Sequence, residues 1–134
     1  MSLSDAPPVN ELINAVMEYI QTEVVPDALG EKKRLATIAY SVLAVVDREY
    51  TMGYKLNTDY AKLLASVGVT SEEELAAKIR NSQVDINSAD LKKALRQITT
   101  MKLMVASPAF LERARKEAEA AQKRQASKAE NADG

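Results

Sequence analysis

The feature that most constrains the fold is an uncharged run, LATIAYSVLAVV, from Leu35 to Val46. Apolar residues recur in it at three- and four-residue steps, the spacing of one helical face. Most of its other positions are also apolar, and a helix that is apolar on most sides is surrounded by protein. A buried strand is the alternative because Val and Ile are frequent, but no turn signal appears before Gly53. We therefore predict a buried central helix from about Lys33 to Met52, capped by Gly53. The run is shorter than the roughly 20 apolar residues of a membrane-spanning helix, so we expect no membrane contact.

Other apolar periodicities predict further helices on both sides of this run. An amphipathic pattern that starts at Val9 predicts a first long helix, which Pro26 ends. A third long helix has Asn87 or Ser88 as its cap, with Leu91, Leu95 and Ile98 towards the core. Three more boundary signals complete the set: Asn57–Asp59 capping a short helix that Gly68 stops, Thr70–Glu74 starting a second short helix, and Ser107–Pro108 starting the last one.

These elements predict an all-α fold: a small helical bundle of three long helices and two short ones, with a charged C-terminal helical tail. We expect a disordered N-terminus over residues 1–7, one bundle domain over 8–111, and a charged tail over 112–134. Helix over 108–124 is expected to fray and 125–134 to be disordered. The charges of the tail nearly cancel, so a solvated tail is favoured over one that binds RNA or a partner.

Composition removes several classes of function. The chain has no Cys and no His, so a thiolate or imidazole metal site and a Ser-His-Asp triad are excluded. Its net charge of -1 gives no general attraction to nucleic acid. No Gly-rich phosphate loop and no metal-ligand spacing are present, so we expect neither a cofactor nor a bound metal. The N-terminus shows no secretory signal pattern, and a cytoplasmic location is expected.

One polar cluster stands out at the end of the predicted central helix. It is a candidate pocket mouth or subunit interface, and the alternative is that its arginine pairs with a carboxylate of a neighbouring helix. A lysine on the third long helix has the same two interpretations. The candidate residues are Asp47, Arg48, Glu49, Tyr50, Tyr54 and Lys102.

Three segments carry a family resemblance: ELINAVMEYIQTEVVP (Glu11–Pro26), RLATIAYSVLAVVDREYTMG (Arg34–Gly53) and KLMVASPAFL (Lys102–Leu111). Together they resemble a bacterial family of small helical proteins of unknown function, over about residues 8–111. Its members resemble proteins encoded beside acyl-CoA dehydrogenases and aminoglycoside-phosphotransferase-like kinases. The resemblance implies a link to acyl-CoA or carboxylic-acid breakdown, and it supplies no catalytic residues.

Three functions follow, and the first is favoured because catalytic residue types are scarce. In the first, the chain is expected to be a non-catalytic accessory protein that binds an acyl-CoA dehydrogenase, a kinase-like protein or a second copy of itself. Alternatively, it is a small module that holds an acyl or CoA-like ligand between helices. The third reading is an enzyme that depends on carboxylates or tyrosine.

Overall fold

The computed structural model describes residues 6–132, and every regular element in that range is helical. This confirms the predicted all-α fold. The chain divides after Ser71 into two compact units. The elements are α1 (Val9–Tyr19), a π-helical segment (Ile20–Val24), α2 (Val25–Asp27), α3 (Gly30–Ser66), α4 (Glu72–Arg80), α5 (Ala89–Ala106) and α6 (Pro108–Ala132). Most of the predicted N-terminal disorder, residues 1–5, and the last two residues, 133–134, lie outside the described residues.

The first unit is built on a helical hairpin. The run from α1 through α2 ends at Asp27, and only Ala28 and Leu29 separate it from α3. Helix α3 packs back against α1, the π-helical segment and α2. A link this short between helices that remain in contact makes the two arms antiparallel.

The π-helical segment explains how the first arm passes Pro26. A proline ring clashes with the carbonyl oxygen four residues earlier and supplies no N–H. In the π-helical segment the Val25 N–H donates instead to the Ile20 carbonyl oxygen, one residue farther back than in an α-helix. The arm therefore ends one residue beyond Pro26, where the Ala28 N–H donates to the Val24 carbonyl oxygen at 3.0 Å.

Helix α3 runs for 37 residues and passes through Gly53. The prediction of a C-terminal cap at Gly53 is therefore wrong, and so is that of a separate helix starting at Asn57–Asp59. Thr58 does not cap a new helix, because its hydroxyl donates back to the Tyr54 carbonyl oxygen within α3 at 3.0 Å. A glycine inside a helix costs only about 1 kcal/mol relative to alanine, so the helix-forming residues on both sides outweigh it.

The end of α3 at Gly68 is as predicted. Gly68 has a φ of +77°, and its N–H donates to the Ala65 carbonyl oxygen at 3.0 Å. The Val69 N–H donates to the Leu64 carbonyl oxygen at 3.1 Å. These two bonds form a Schellman motif, and Leu64 and Val69 occupy the two positions that often make an apolar contact in it. Both side chains are almost fully buried.

The prediction that the run 35–46 is buried is wrong. No residue of this run is buried, and Leu35, Ile38, Val42 and Val46 are 44–55% exposed. The periodicity correctly identifies a helix with apolar faces, but it does not say what covers each face. The hairpin supplies one neighbouring arm, which leaves the other sides of the run 35–46 exposed.

In the second unit the buried residues are Leu75 on α4 and Leu91, Ala94 and Ile98 on α5. Ser88 caps α5, as predicted, and its hydroxyl accepts from the Leu91 N–H at 3.3 Å. The expectation that Leu95 faces the core is wrong, since that side chain is 39% exposed.

Helix α6 starts at Pro108, as predicted, and forms the charged helical tail. It continues to Ala132, although disorder was expected from residue 125. Every residue from 112 to 132 is exposed. The tail is therefore a solvated helix over the residues that the structure describes.

Candidate functional site

The predicted polar cluster lies inside α3, well before its end at Ser66. Asp47, Arg48, Glu49 and Tyr50 are consecutive, and successive helical residues point about 100° apart around the axis. Asp47 and Arg48 are half-buried, whereas Glu49 and Tyr50 are exposed. The helix thus distributes the four side chains around its circumference and does not bring them to one point. Tyr54, one turn later, is 90% exposed.

Two details of this cluster concern its carboxylates. The Asp47 Oδ1 atom is buried and has no hydrogen-bond partner among the described residues. The Glu49 carboxylate lies along the helix over Gly53, where an added Cβ would be 3.6 Å from Oε1. A single unpaired carboxylate oxygen is a cost to stability.

Lys102 lies in the second unit, on α5, and pairs with Glu72 at the start of α4. Its Nζ atom is 2.7 Å from Oε1 and 2.8 Å from Oε2 of Glu72. The pair stands at the edge of a cleft of about 240 Å³ between α4 and α5, whose floor includes the buried Leu75 and Ile98. Sequence reasoning identified Lys102 but missed the cleft, which is signalled by apolar positions at three- and four-residue steps on both helices.

A larger feature, also missed from the sequence, is an exposed apolar face on the hairpin. On α1 the exposed apolar residues recur at helical spacing, and they are 46–61% exposed. On α3 the exposed members of the central run do the same. The hairpin face is defined here by these seven side chains: Leu12, Val16, Tyr19, Leu35, Ile38, Val42 and Val46.

The exposed row of each arm is distinct from its half-buried positions. On α1 the exposed Leu12 is followed by the half-buried Ile13, and on α3 the exposed Val42 is followed by the half-buried Leu43. Because successive helical residues point about 100° apart, the exposed apolar row of each arm lies away from the half-buried residues next to it in sequence.

The two rows also lie at the same height along the hairpin. Ala28 and Leu29 form the link, so residues equally distant from it face each other in antiparallel arms of equal rise. By this count Tyr19 is level with Ile38, and Leu12 is level with Val45 and Val46. All seven side chains are uncharged and about half exposed.

The remaining surface shows no concentrated chemistry. Within residues 6–132, no group of three Asp or Glu side chains could hold a metal ion, and no helix there is long and apolar enough to cross a membrane. Carboxyl groups with a lowered pKa occur in exposed pairs, where a hydrogen bond from a basic side chain favours the charged form. These are Glu31 with Arg34, Asp59 with Lys55, and Glu112 with Arg115.

Residues 26–110 match a family described as a domain of unknown function, DUF6285. The match covers α3, α4 and α5, and it leaves out α1 and most of α6. No curated protein and no solved structure matches the chain.

Proposed function

Because the chain belongs to the DUF6285 family, whose function is unknown, we propose a function from its own surface: it is a non-catalytic accessory protein that acts by binding another protein. The hairpin face is the observation that carries this proposal. Contiguous apolar patches on monomeric proteins rarely exceed a few hundred Å², and larger ones mark interaction sites.

The composition of the hairpin face supports the same conclusion. The centres of protein interfaces are depleted of charged residues and enriched in aromatic ones. The hairpin face has no charged side chain and includes Tyr19, which is 61% exposed. By contrast, the candidate polar residues of α3 point in different directions and offer no joint site for a reaction.

The identity of the partner rests on the sequence resemblance. Segments 11–26, 34–53 and 102–111 resemble bacterial proteins encoded beside acyl-CoA dehydrogenases and kinase-like proteins. We therefore name an acyl-CoA dehydrogenase, or its kinase-like neighbour, as the partner class, and the cytoplasm as the place where they meet.

The test is reconstitution with purified components. The full chain is mixed with an acyl-CoA dehydrogenase, and separately with a kinase-like protein, from the same organism. Size-exclusion chromatography with light scattering then measures the mass of any complex. A stoichiometric complex with one of them is the expected result. A lack of complex with both, at concentrations well above the micromolar range, contradicts the proposal.

The cleft of the second unit favours one alternative function, the binding of a small acyl ligand. Its floor is apolar, and Lys102 at its edge carries a positive charge suited to a carboxylate or phosphate. Binding would require the anion to replace Glu72 as the partner of Lys102. A thermal shift by an acyl-CoA ester that is lost in Lys102→Met, but kept in Lys55→Met on the first unit, would support this alternative. Equal shifts in both variants would contradict it.

A further inference from the structure

We infer that the first arm of the hairpin, residues 9–27, binds a basic amphipathic helix of a partner protein, which packs along the exposed apolar side of α1. This inference deepens the proposed function and rests on it, since both require a protein partner. It adds the helix that makes the contact and the chemistry of the bound segment. The α1 row is defined here by three side chains: Leu12, Val16 and Tyr19.

The α1 row lies on a different side of the helix from the residues that the hairpin covers. Ile13, Met17 and Ile20 are half-buried, and α3 is in contact with α1. The members of the α1 row are 46–61% exposed. At about 100° per residue, they point on average roughly 100° away from the half-buried three. The α1 row is therefore an apolar surface of one helix that its neighbour within the hairpin leaves accessible.

The charge of the first arm indicates what kind of partner fits. The first Lys or Arg of the chain is Lys32, and residues 1–31 hold six Asp or Glu side chains. Since the net charge of the whole chain is -1, residues 32–134 have a net charge of +5. Helix α3 does not neutralise the acids of α1 locally, because residues 35–46, which lie level with the α1 row, include no charged side chain. The first arm is thus a locally acidic surface.

Two carboxylates border the α1 row on the side away from the half-buried residues. Glu11 and Glu18 are exposed, and a separation of seven residues places them about 10 Å apart on one edge of the helix. The exposed Ala15 lies between this edge and the row. Within residues 6–132, neither carboxylate is held in an ion pair. A helix that offers apolar side chains to the row, and Lys or Arg at the same seven-residue spacing, matches both features.

The same acids disfavour other occupants of the α1 row. If the row were paired with its equal in a second copy, Glu11 and Glu18 would be brought close to like charges, which costs affinity. Anionic lipid surfaces and nucleic acids attract Lys and Arg, and the first arm has neither. A basic amphipathic helix combines an apolar side with attraction to these carboxylates.

Fluorescence anisotropy with a synthetic probe tests this inference. The probe is a labelled peptide of roughly five helical turns, with Leu at three- and four-residue steps and Lys elsewhere. The control peptide has Glu in place of every Lys. We expect the full chain to bind the Lys peptide, and to bind the Glu peptide at least about tenfold more weakly. Equal affinity for the two peptides, or no binding of the Lys peptide, overturns the inference.

Paired variants locate the contact. Glu18→Lys and Glu117→Lys change the net charge of the chain equally, but only Glu18 borders the α1 row. Glu18→Lys should weaken binding of the Lys peptide about 5–10-fold, because an attraction becomes a repulsion, whereas Glu117→Lys should have less than about a twofold effect. Tyr19→Ser should weaken binding at least about fivefold, and Tyr54→Ser, at an exposed tyrosine of α3, should change it little. Equal losses within either pair overturn the inference.

Hydrogen exchange of the natural chain supplies a measurement that needs no substitution. Binding of the Lys peptide should slow amide exchange within residues 9–27, because it disfavours local opening of the helix it contacts. Residues 112–132, where acids and bases alternate, should exchange at an unchanged rate. Slowing that is confined to α6, or that is equal in both segments, overturns the inference.

The results separate this inference from the proposed function. If an acyl-CoA dehydrogenase or kinase-like protein binds the natural chain, Glu18→Lys and Tyr19→Ser equally well, the proposed function stands and the inference falls. If the Lys peptide binds as expected but neither protein forms a complex, the inference stands and the partners named in the proposed function are wrong. Self-association of the chain that is lost in Tyr19→Ser would assign the α1 row to a second copy and would also overturn the inference.

Discussion

Replacing two glycines by alanine, one at a time, should change the stability of the first unit, and the two changes should have opposite signs. Gly53 lies in the interior of α3, and its φ is not in the left-handed region. An added Cβ would meet the Glu49 carboxylate at 3.6 and 3.9 Å, which is ordinary van der Waals contact. Gly53→Ala therefore gains helix propensity without a clash, and we expect the free energy of unfolding to rise by about 1 kcal/mol.

Gly68, in contrast, needs a backbone conformation that is unfavourable for alanine. Its φ of +77° lies in the left-handed region, where a Cβ costs about 1–2 kcal/mol. The Schellman motif fixes this geometry, because the N–H groups of Gly68 and Val69 both depend on it. Nothing lies within 4 Å of an added Cβ at Gly68, so the expected loss comes from the backbone and not from crowding. Gly68→Ala should lower the free energy of unfolding by about 1–2 kcal/mol.

Urea denaturation followed by circular dichroism measures both effects. The protein concentration must be held constant, because association makes apparent stability depend on it. With a typical urea dependence of about 1–3 kcal/mol per molar, a change of about 1 kcal/mol moves the midpoint by roughly 0.3–1 M. Ala65→Gly is the matched control within α3. It adds a glycine at an exposed helical position, and it should lower stability by about 1 kcal/mol.

One result would refute the reasoning about α3. If Gly53→Ala lowers the midpoint while Ala65→Gly also lowers it, alanine is not tolerated at residue 53. The helix would then be interrupted there, as the sequence pattern alone suggested, or the position would be approached closely by another group. A midpoint that rises with Gly53→Ala and falls with Gly68→Ala establishes one continuous helix with a single glycine stop.

Three other perturbations have definite expected outcomes. Ser82→Gly should raise the urea midpoint by the equivalent of about 1 kcal/mol, since Ser82 ends α4 at a φ of +55°; Ser82→Ala is the control and should change little. Leu64→Ala should cost about 2–5 kcal/mol in the same assay, because Leu64 is only 2% exposed, and an equal cost for Leu29→Ala, at an 81% exposed position, would contradict this. The pKa of Glu112 is lowered from its ordinary value of 4.5, chiefly by a hydrogen bond from Arg115. This carboxylate stabilises the folded chain above pH 4.5, and the contribution is lost as the pH falls through the lowered pKa. Acid titration of helix content should therefore be shallower in Glu112→Gln, and added salt should reduce the difference.

Local signals in the sequence predicted the ends of helices well. Ser88 starts a helix and Gly68 ends one, because their own side-chain and backbone chemistry favours those geometries whatever surrounds them. Pro108 begins α6 for the same reason. The π-helical segment before Pro26 was missed, because its cause is a fit between the proline ring and a helix that continues past it.

Gly53 shows where local signals fail. Its chemistry permits a helix end but does not demand one, so the neighbouring residues decided the outcome. The prediction of burial for residues 35–46 failed for another reason. The apolar period of the run 35–46 is the same whether its face meets another helix or remains open, and only the packing of the whole chain distinguishes the two cases.

The candidate site, too, was predicted only in part from the sequence. The sequence identified Lys102 as a cation on a core helix that either lines a pocket or pairs with a neighbouring helix, and the structure gives it Glu72 as a partner. It also identified Asp47–Tyr50, Tyr54 and their charges, but a row of consecutive residues on a helix cannot converge. The hairpin face was present in the sequence as Leu12, Val16 and the central run, yet it was assigned to the interior.

The unbroken length of α3 has a mechanical consequence. At about 1.5 Å per residue, its 37 residues make a rod of roughly 55 Å. Anything that clamps the rod near Val42 sets the direction in which Tyr54 and the residues beyond it point, because the helix is unbroken between them. Gly53 is the most pliant place along that rod. A change there would alter how faithfully a tilt at one end is transmitted to the other.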